Sequence, residues 1–96
     1  LINLVKNAVE AIRNSENPKI EITVLQDNQE TAIRISDNGS GMNEEELQNC
    51  FIPFYTTKED GSGIGLYYSR MIALLHKGNL TVQSELEAGS TFTLTL

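Results

Sequence analysis

The sequence predicts an α+β fold, a two-layer sandwich in which helices cover one face of a mixed, mostly antiparallel sheet. Near the start of the chain and again after its middle, apolar residues recur at the spacing of an amphipathic helix. Other segments alternate apolar and polar residues, which is the period of half-buried strands. These segments come in two pairs, and within each pair a short connection joins the two segments, as in a hairpin. This combination favours helices packed on one face of the sheet.

Length and composition predict one small domain over residues 1–96. A chain of 96 residues can bury one core but not two. Its formal net charge of -6 argues against binding a nucleic-acid backbone, and no apolar run is long enough to span a bilayer. The single cysteine, Cys50, cannot form an internal disulfide and suits a reducing compartment. We therefore expect a cytoplasmic domain that contacts neither membrane nor nucleic acid.

The predicted elements fill most of the chain. Helices are predicted at 1–14, 43–51 and 63–77, and strands at 19–26, 31–37, 79–86 and 90–96. Because helical periodicity is already present at Leu1 with no cap before it, we expect the natural domain to begin upstream. The connection 52–62 contains Pro53 and Gly61 and has no periodicity. Connections of this length in compact domains are usually functional or mobile, so we predict a lid over a ligand.

The first predicted helix carries a narrow polar stripe. At about 100° per residue, Asn3, Asn7 and Glu10 fall within about 60° of one another, opposite the apolar face. Asparagine is a weaker helix former than lysine or glutamate, so two asparagines one turn apart favour contact with a ligand or a metal. An ordinary solvated face is the alternative.

A glycine-containing segment follows the second predicted strand. In SDNGSGM, residues 36–42, the strand finishes on Asp37, and Gly39 and Gly41 follow directly before an acidic helix start. Glycine permits both unusual backbone angles and close approach of the backbone to another group. A hinge, a turn and a ligand site are all consistent with this pattern.

A second glycine-rich segment, GSGIGL at residues 61–66, precedes the third predicted helix. Its backbone amides could approach an anion at the positive end of that helix, and Lys58 could add a full charge. The spacing is neither that of a P-loop nor that of a dinucleotide-binding strand and helix. A flexible glycine hinge is the alternative.

Five segments, in order and spread over nearly the whole chain, match a known set of motifs. They are NLVKNAVEAI (3–12), DNGSGM (37–42), FIPFYTTK (51–58), GSGIGL (61–66) and GSTFTL (89–94). They resemble the N, G1, F and G2 boxes and the closing glycine motif of the catalytic, ATP-binding domain of bacterial sensor histidine kinases. DNA gyrase, heat-shock chaperone ATPases and mismatch-repair ATPases share that superfamily. The resemblance implies a Bergerat-type fold, and the FxPFxTTK form resembles nitrogen-regulatory and sporulation kinases in particular.

The resemblance also implies roles for individual residues. Asp37 would accept a hydrogen bond from the adenine amino group of ATP or ADP, and Asn7 would coordinate Mg²⁺. Asn3 and Glu10 would lie beside the phosphates and, with Lys58, are the predicted catalytic residues. The other residues predicted to bind nucleotide are Gly39, Gly41, Met42, Gly61, Ser62, Gly63, Ile64, Gly65, Leu66 and, through the polar network around Asp37, Thr91.

The activity implied by the resemblance is transfer of the ATP γ-phosphate to a histidine. That histidine would lie on an upstream dimerisation domain made of helices, because the only histidine here, His76, is followed by Lys77 and Gly78 rather than by the expected acid. A response regulator would be the next partner. The parent kinase could be membrane-anchored.

Other classes stay open on the sequence alone. A hydrolase of the same superfamily would be expected to carry a glutamate where Asn3 stands, as a base for water. A nucleotide-sensing scaffold without transfer activity would be expected to have lost an N-box or glycine residue, and none is lost here. A serine kinase of the anti-sigma type is a further alternative within the fold.

Overall fold

The computed structural model describes residues 1–55 and 64–96. Its helices are α1 (Ile2–Ala11), α2 (Glu44–Asn49) and α3 (Gly65–Leu75), and its strands are β1 (Ile20–Asp27), β2 (Glu30–Asp37), β3 (Asn79–Glu85) and β4 (Gly89–Thr95). Each predicted helix and strand is present, with ends that differ by a few residues. None of the helices in these ranges is long and apolar enough to cross a membrane.

The described strands form one sheet in the order β1-β2-β4-β3. The predicted hairpins β1–β2 and β3–β4 are confirmed, and each pairing in this sheet is antiparallel. The hairpins meet through β2 and β4, whose register puts Ile35 opposite Phe92 and Asp37 opposite Ser90. The end of β2 therefore lies beside the start of β4. The predicted α+β fold class is confirmed.

The hydrophobic core lies between the sheet and helices α1 and α3. Its buried side chains are Leu4 and Ala8 from α1, Ala73 from α3, and Ile35, Leu80 and Phe92 from the strands. On β1, Ile22 and Val24 pair with residues of the core face but stay 55% and 64% exposed. The two helices thus cover the β2-β4-β3 part of the sheet. This arrangement brings the end of α1 to the loop that follows β2.

Helix α1 ends at Ala11, earlier than the predicted residue 14, because its last carbonyl accepts a hydrogen bond from another segment. The Ala11 carbonyl accepts the Ser40 amide at 3.3 Å. The Ser15 amide, which would otherwise continue the helical pattern to Ala11, donates to the Ile12 carbonyl at 3.0 Å instead. The sequence periodicity could not reveal this tertiary contact.

Helix α2 begins directly after Asn43, which is its N-cap residue. The Asn43 side chain accepts the Glu46 amide at 2.8 Å, and the Glu46 carboxylate accepts the Asn43 amide at 3.1 Å. This reciprocal pair satisfies two amides that the helix itself cannot bond. Cys50 directly follows α2 and is buried, as expected for a cysteine that acts as a small apolar residue.

Candidate functional site

Asp37 is a buried carboxylate at the end of β2. It is 9% exposed, and its Oδ1 accepts the Gly39 amide at 2.9 Å, while the Ser90 amide also bonds to the carboxylate. Burial raises the pKa of Asp37 above its ordinary value of 3.8, and the two amide bonds oppose this shift. A carboxylate in this position is a strong acceptor for an N–H group of a ligand.

The raised pKa of Asp37 predicts a pH-dependent stability. The folded chain binds this proton more tightly than the unfolded chain, so the Asp37 contribution to the free energy of unfolding falls as pH rises from 3.8 through the raised pKa. Asp37→Asn removes the titration. Denaturant unfolding of both chains at several pH values should therefore show the difference, wild type minus variant, falling over this range and then levelling off. A difference that is constant or rises with pH would contradict the assignment.

The loop after Asp37 packs so tightly that its glycines have no room for a side chain. A Cβ on Gly39 would overlap the Ala11 carbonyl oxygen, and a Cβ on Gly41 would overlap the Glu85 carbonyl oxygen. Gly41 also has a φ of 66°, in the left-handed region that favours glycine. The packing favours a loop of fixed shape over the hinge that the sequence left open.

Asn38 holds this loop to the segment that precedes β1. Its Oδ1 accepts the Lys19 amide at 2.8 Å, and its Nδ2 donates to the Asn17 carbonyl at 2.7 Å. Its own amide donates to the Lys19 carbonyl at 3.2 Å. Asn38 was not among the predicted site residues, although an asparagine after a strand is a common signal for such local bonds.

The polar stripe of α1 meets the start of α3. Asn3 is exposed, and Asn7 and Glu10 are half-buried. A Cβ built on Gly65 would lie 3.6 Å from Asn3 Cγ, an ordinary van der Waals distance. The N-box helix and the first residue of α3 are therefore neighbours, as a shared phosphate site would require.

Glu10 also borders a polar cleft of about 490 Å³ behind the loop. Gly39 is the other predicted site residue that lines this cleft. The rest of the lining comes mostly from residues 14–17 and from Asn38 and Ser40. Glu10 therefore faces a surface that Asn3 and Asp37 do not line. Within residues 1–55 and 64–96, no group of three acidic, histidine or cysteine residues could hold a metal ion.

Three predicted site residues lie at the edge of the core or the start of α3. Met42 and Leu66 are partly buried and pack against the core cluster. Ile64 is half-buried and directly precedes α3. The side chains of Met42 and Leu66 therefore anchor the G1 segment and α3 to the core.

Four predicted site residues, Lys58, Gly61, Ser62 and Gly63, lie outside the described residues, as does most of the predicted lid 52–62. Their roles stay predictions. The described start of the F-box segment contacts α3, because the Arg70 guanidinium lies 4.9 Å from the centre of the Phe51 ring. A guanidinium over an aromatic face is attracted by its quadrupole.

The structure corrects the predicted position of Thr91. Its hydroxyl lies 2.9 Å from the Ser36 hydroxyl, which places both on the opposite sheet face from Asp37, since successive strand residues alternate. Ser90, opposite Asp37 in the register, is the residue that bonds to the carboxylate. The motif GSTFTL contains both hydroxyls, and only the register distinguishes them.

Comparison with known proteins agrees with this geometry. All of residues 1–96 match the family described as histidine kinase-, DNA gyrase B- and HSP90-like ATPase. The chain is 41% identical over 95 residues to sporulation kinase E of Bacillus subtilis, covering 99% of this chain and 13% of the relative. It is 41% identical over 96 residues to the signal transduction histidine-protein kinase AtoS of Escherichia coli, covering 100% of this chain and 16% of the relative.

Solved structures of histidine kinases share the fold of this chain. The nucleotide-free catalytic domain of histidine kinase ThkA superposes with a TM-score of 0.82 at 33% identity, over 99% of this chain and 61% of that chain. The mycobacterial sensor histidine kinase MprB shares the fold, with a TM-score of 0.84 at 24% identity over 99% of this chain and 65% of that chain.

The fold and these matches define an ATP-binding domain of the histidine kinase and ATPase class. The chain belongs to the histidine kinase-, DNA gyrase B- and HSP90-like ATPase family. Its relatives include named histidine kinases, and it is homologous to their ATP-binding catalytic domains. It spans 19% of the length of sporulation kinase D and 13% of that of sporulation kinase E.

Proposed function

We propose that this chain is the catalytic domain of a sensor histidine kinase and transfers the γ-phosphate of ATP to a histidine on a separate helical domain. The observation that carries the proposal is the buried Asp37 carboxylate, followed by a loop whose glycines have no room for side chains. Family membership supports ATP as the ligand. The names of the relatives, sporulation kinases and a signal transduction histidine-protein kinase, support the transfer and the sporulation-kinase type.

Asp37 would select adenine over guanine. Adenine presents an amino donor where guanine presents a carbonyl oxygen. The carboxylate accepts a bond from the adenine amino group, whereas the guanine oxygen would place one acceptor against another. Because Asp37 is 9% exposed, water cannot readily replace the missing bond, so the discrimination should be large.

Mg²⁺ fits the donor chemistry of the α1 stripe. An asparagine side-chain oxygen is a hard ligand of the kind that Mg²⁺ accepts, and in nucleotide sites phosphates and waters complete its coordination. Asn7 would hold the ion, while Asn3 and Lys58 would contact the phosphates. When bound, the ion would neutralise phosphate charge that a chain of net charge -6 otherwise repels.

In the proposed reaction, an imidazole nitrogen of the acceptor histidine attacks the γ-phosphorus. A P–N bond forms as the bond from phosphorus to the ADP oxygen breaks, and ADP leaves with that electron pair. The residues of this chain would hold the triphosphate in line with the incoming nitrogen. Asn3 cannot serve as a base for water, because an amide has no useful basicity near neutral pH. Bound ATP would therefore stay intact until the histidine arrives.

The partners follow from the same proposal. The acceptor would lie on the dimerisation domain of the parent kinase. His76 does not fit this role, because it stands at the C-terminal end of α3 and is followed by Lys77 and Gly78 rather than by the expected acid. The phosphohistidine would pass its phosphoryl group to a response regulator. We expect the domain to work in the cytoplasm, where ATP is supplied.

Transfer without hydrolysis is the test of this function. We expect the chain alone to show negligible ATPase activity and no self-phosphorylation, and to label a phosphoacceptor domain when one is added or fused. Asn3→Glu should raise hydrolysis by a factor on the order of 100 to 10,000 if the new carboxylate reaches water. Asn3→Gln, which keeps an amide, is the matched control. Radiolabelled γ-phosphate on protein and free phosphate in solution measure the two reactions.

The outcomes separate a kinase from a hydrolase. Label on the acceptor domain that disappears when its histidine is replaced would support the kinase. Robust turnover by the unmodified chain, lost in Glu10→Gln, would instead assign a hydrolase that uses Glu10 as its base.

A further inference from the structure

Ser84 lies where the loop after Asp37 meets the β3–β4 hairpin. Its Oγ donates to the Gly89 carbonyl at 3.0 Å and lies 2.7 Å from Ser90 Oγ and 2.8 Å from the Met42 amide nitrogen. A hydroxyl has one proton and two acceptor positions. Because the Ser84 proton goes to the carbonyl, the Ser90 hydroxyl donates to Ser84. The two acceptor positions of Ser84 Oγ are therefore filled by the Ser90 hydroxyl and the Met42 amide.

These bonds connect Ser90 and Met42 through one oxygen atom. Ser90 lies opposite Asp37 in the strand register, and its amide bonds to the Asp37 carboxylate. Met42 is the last residue of the G1 segment and directly follows Gly41. Ser84 thus joins the neighbour of the carboxylate to the residue that closes the loop.

The same hairpin holds the other side of Gly41 by the backbone. The Glu87 amide donates to the Ser40 carbonyl at 2.7 Å. Ser40 and Met42 flank Gly41, so the loop is held on both sides of its glycine. The Glu87 bond joins two backbone groups, whereas the Met42 bond depends on the Ser84 hydroxyl.

We propose that Ser84 is a positioning residue for adenine recognition. Its hydroxyl fixes the Gly41–Met42 backbone relative to the Asp37 carboxylate, so that both meet the same base. The proposal rests on the proposed function, since it requires the chain to bind ATP. Ser84 itself does not contact the nucleotide, and its removal should affect the base-specific part of binding.

Titration calorimetry with Mg-ATP and with Mg-GTP tests this role. Ser84→Ala should lower ATP affinity about tenfold and leave GTP affinity unchanged, so the ratio of the two falls. Ser84→Thr keeps a hydroxyl and should restore the ratio. Thr81→Ala removes a hydroxyl from the other face of β3 and should not move it. A general loss of stability would weaken both nucleotides together and leave the ratio unchanged.

Ser84→Cys keeps the size of the side chain with weak hydrogen bonding, and it replaces Ser84→Ala if that chain does not fold. A wild-type ratio in either folded variant overturns the proposal. Hydrogen exchange of the Met42 amide in the empty chain gives a readout that needs no nucleotide. It should be faster in Ser84→Ala and Ser84→Cys than in wild type and Thr81→Ala, and unchanged exchange also overturns the proposal. If the Ser84 variants exchange faster as expected but the wild-type chain binds no ATP, the proposed function is overturned. The role of Ser84 in adenine recognition is then overturned with it.

Discussion

Gly41→Ala is expected to lower the free energy of unfolding by about 2–4 kcal/mol and to abolish measurable ATP binding. Its φ of 66° costs an L-residue on the order of 1–2 kcal/mol. The rest of the effect comes from the new Cβ, which would overlap the Glu85 carbonyl oxygen, a backbone atom that cannot rotate away. To relieve this overlap the loop must leave the hairpin and lose the 2.8 Å bond from the Met42 amide to Ser84. Denaturant unfolding and calorimetry measure the two effects.

Gly65→Ala is the matched control for stability. Its Cβ would lie 3.6 Å from Asn3 Cγ, and residue 65 is the first residue of α3. Alanine is a better helix former than glycine by up to about 1 kcal/mol, so the free energy of unfolding should stay level or rise. A Gly41→Ala chain as stable as wild type would contradict the close packing of the loop.

Asp37→Ala and Asp37→Asn are expected to weaken ATP and ADP by about 1.5–3 kcal/mol, or roughly ten- to a hundredfold. The lost interaction is a hydrogen bond to a charged and buried acceptor. Asparagine keeps an acceptor oxygen without the charge, so we expect it at the lower end of this range and alanine at the upper end. Calorimetric titration with each nucleotide measures the change.

Ser36→Ala is the control for these variants. Ser36 precedes Asp37 in β2 but lies on the opposite sheet face, where its hydroxyl is 2.9 Å from that of Thr91. This variant loses a hydrogen bond of the same strand and should keep the ATP affinity of wild type. A folded Asp37→Ala chain with unchanged ATP affinity would remove Asp37 from the site.

Local sequence patterns predicted the elements well because each element carries its own signal. Alternation located the strands of both hairpins, and the acidic residues after Gly41 marked the start of α2. The pairing of β2 with β4 had no such signal, since it joins segments far apart in the chain. The early end of α1 was missed for the same reason, because the Ala11 carbonyl bonds Ser40 in a distant loop.

The motifs identify the residue at the end of a strand, whereas two adjacent residues of one strand are distinguished only by the register. Asp37, Gly39 and Gly41 stand in a segment whose residue types suit a strand end and close backbone approach, and the structure shows both. Thr91 and Ser90 are adjacent hydroxyls, and only the pairing of β2 with β4 shows which one lies beside Asp37.

Ser84 was missed because a serine in an alternating strand has no distinctive pattern. Its role depends on the β3–β4 register, which puts it opposite Ser90. Asn38 was missed because its partners, Lys19 and Asn17, lie before β1 and become neighbours only in the folded sheet.

The affinity of the unmodified chain for ATP compared with GTP tests the central claim, that Asp37 makes this an adenine-nucleotide domain. Both nucleotides would be titrated calorimetrically with Mg²⁺ into the folded chain. The predicted result is binding of ATP, with GTP at least about tenfold weaker. Equal affinity for ATP and GTP would contradict the account.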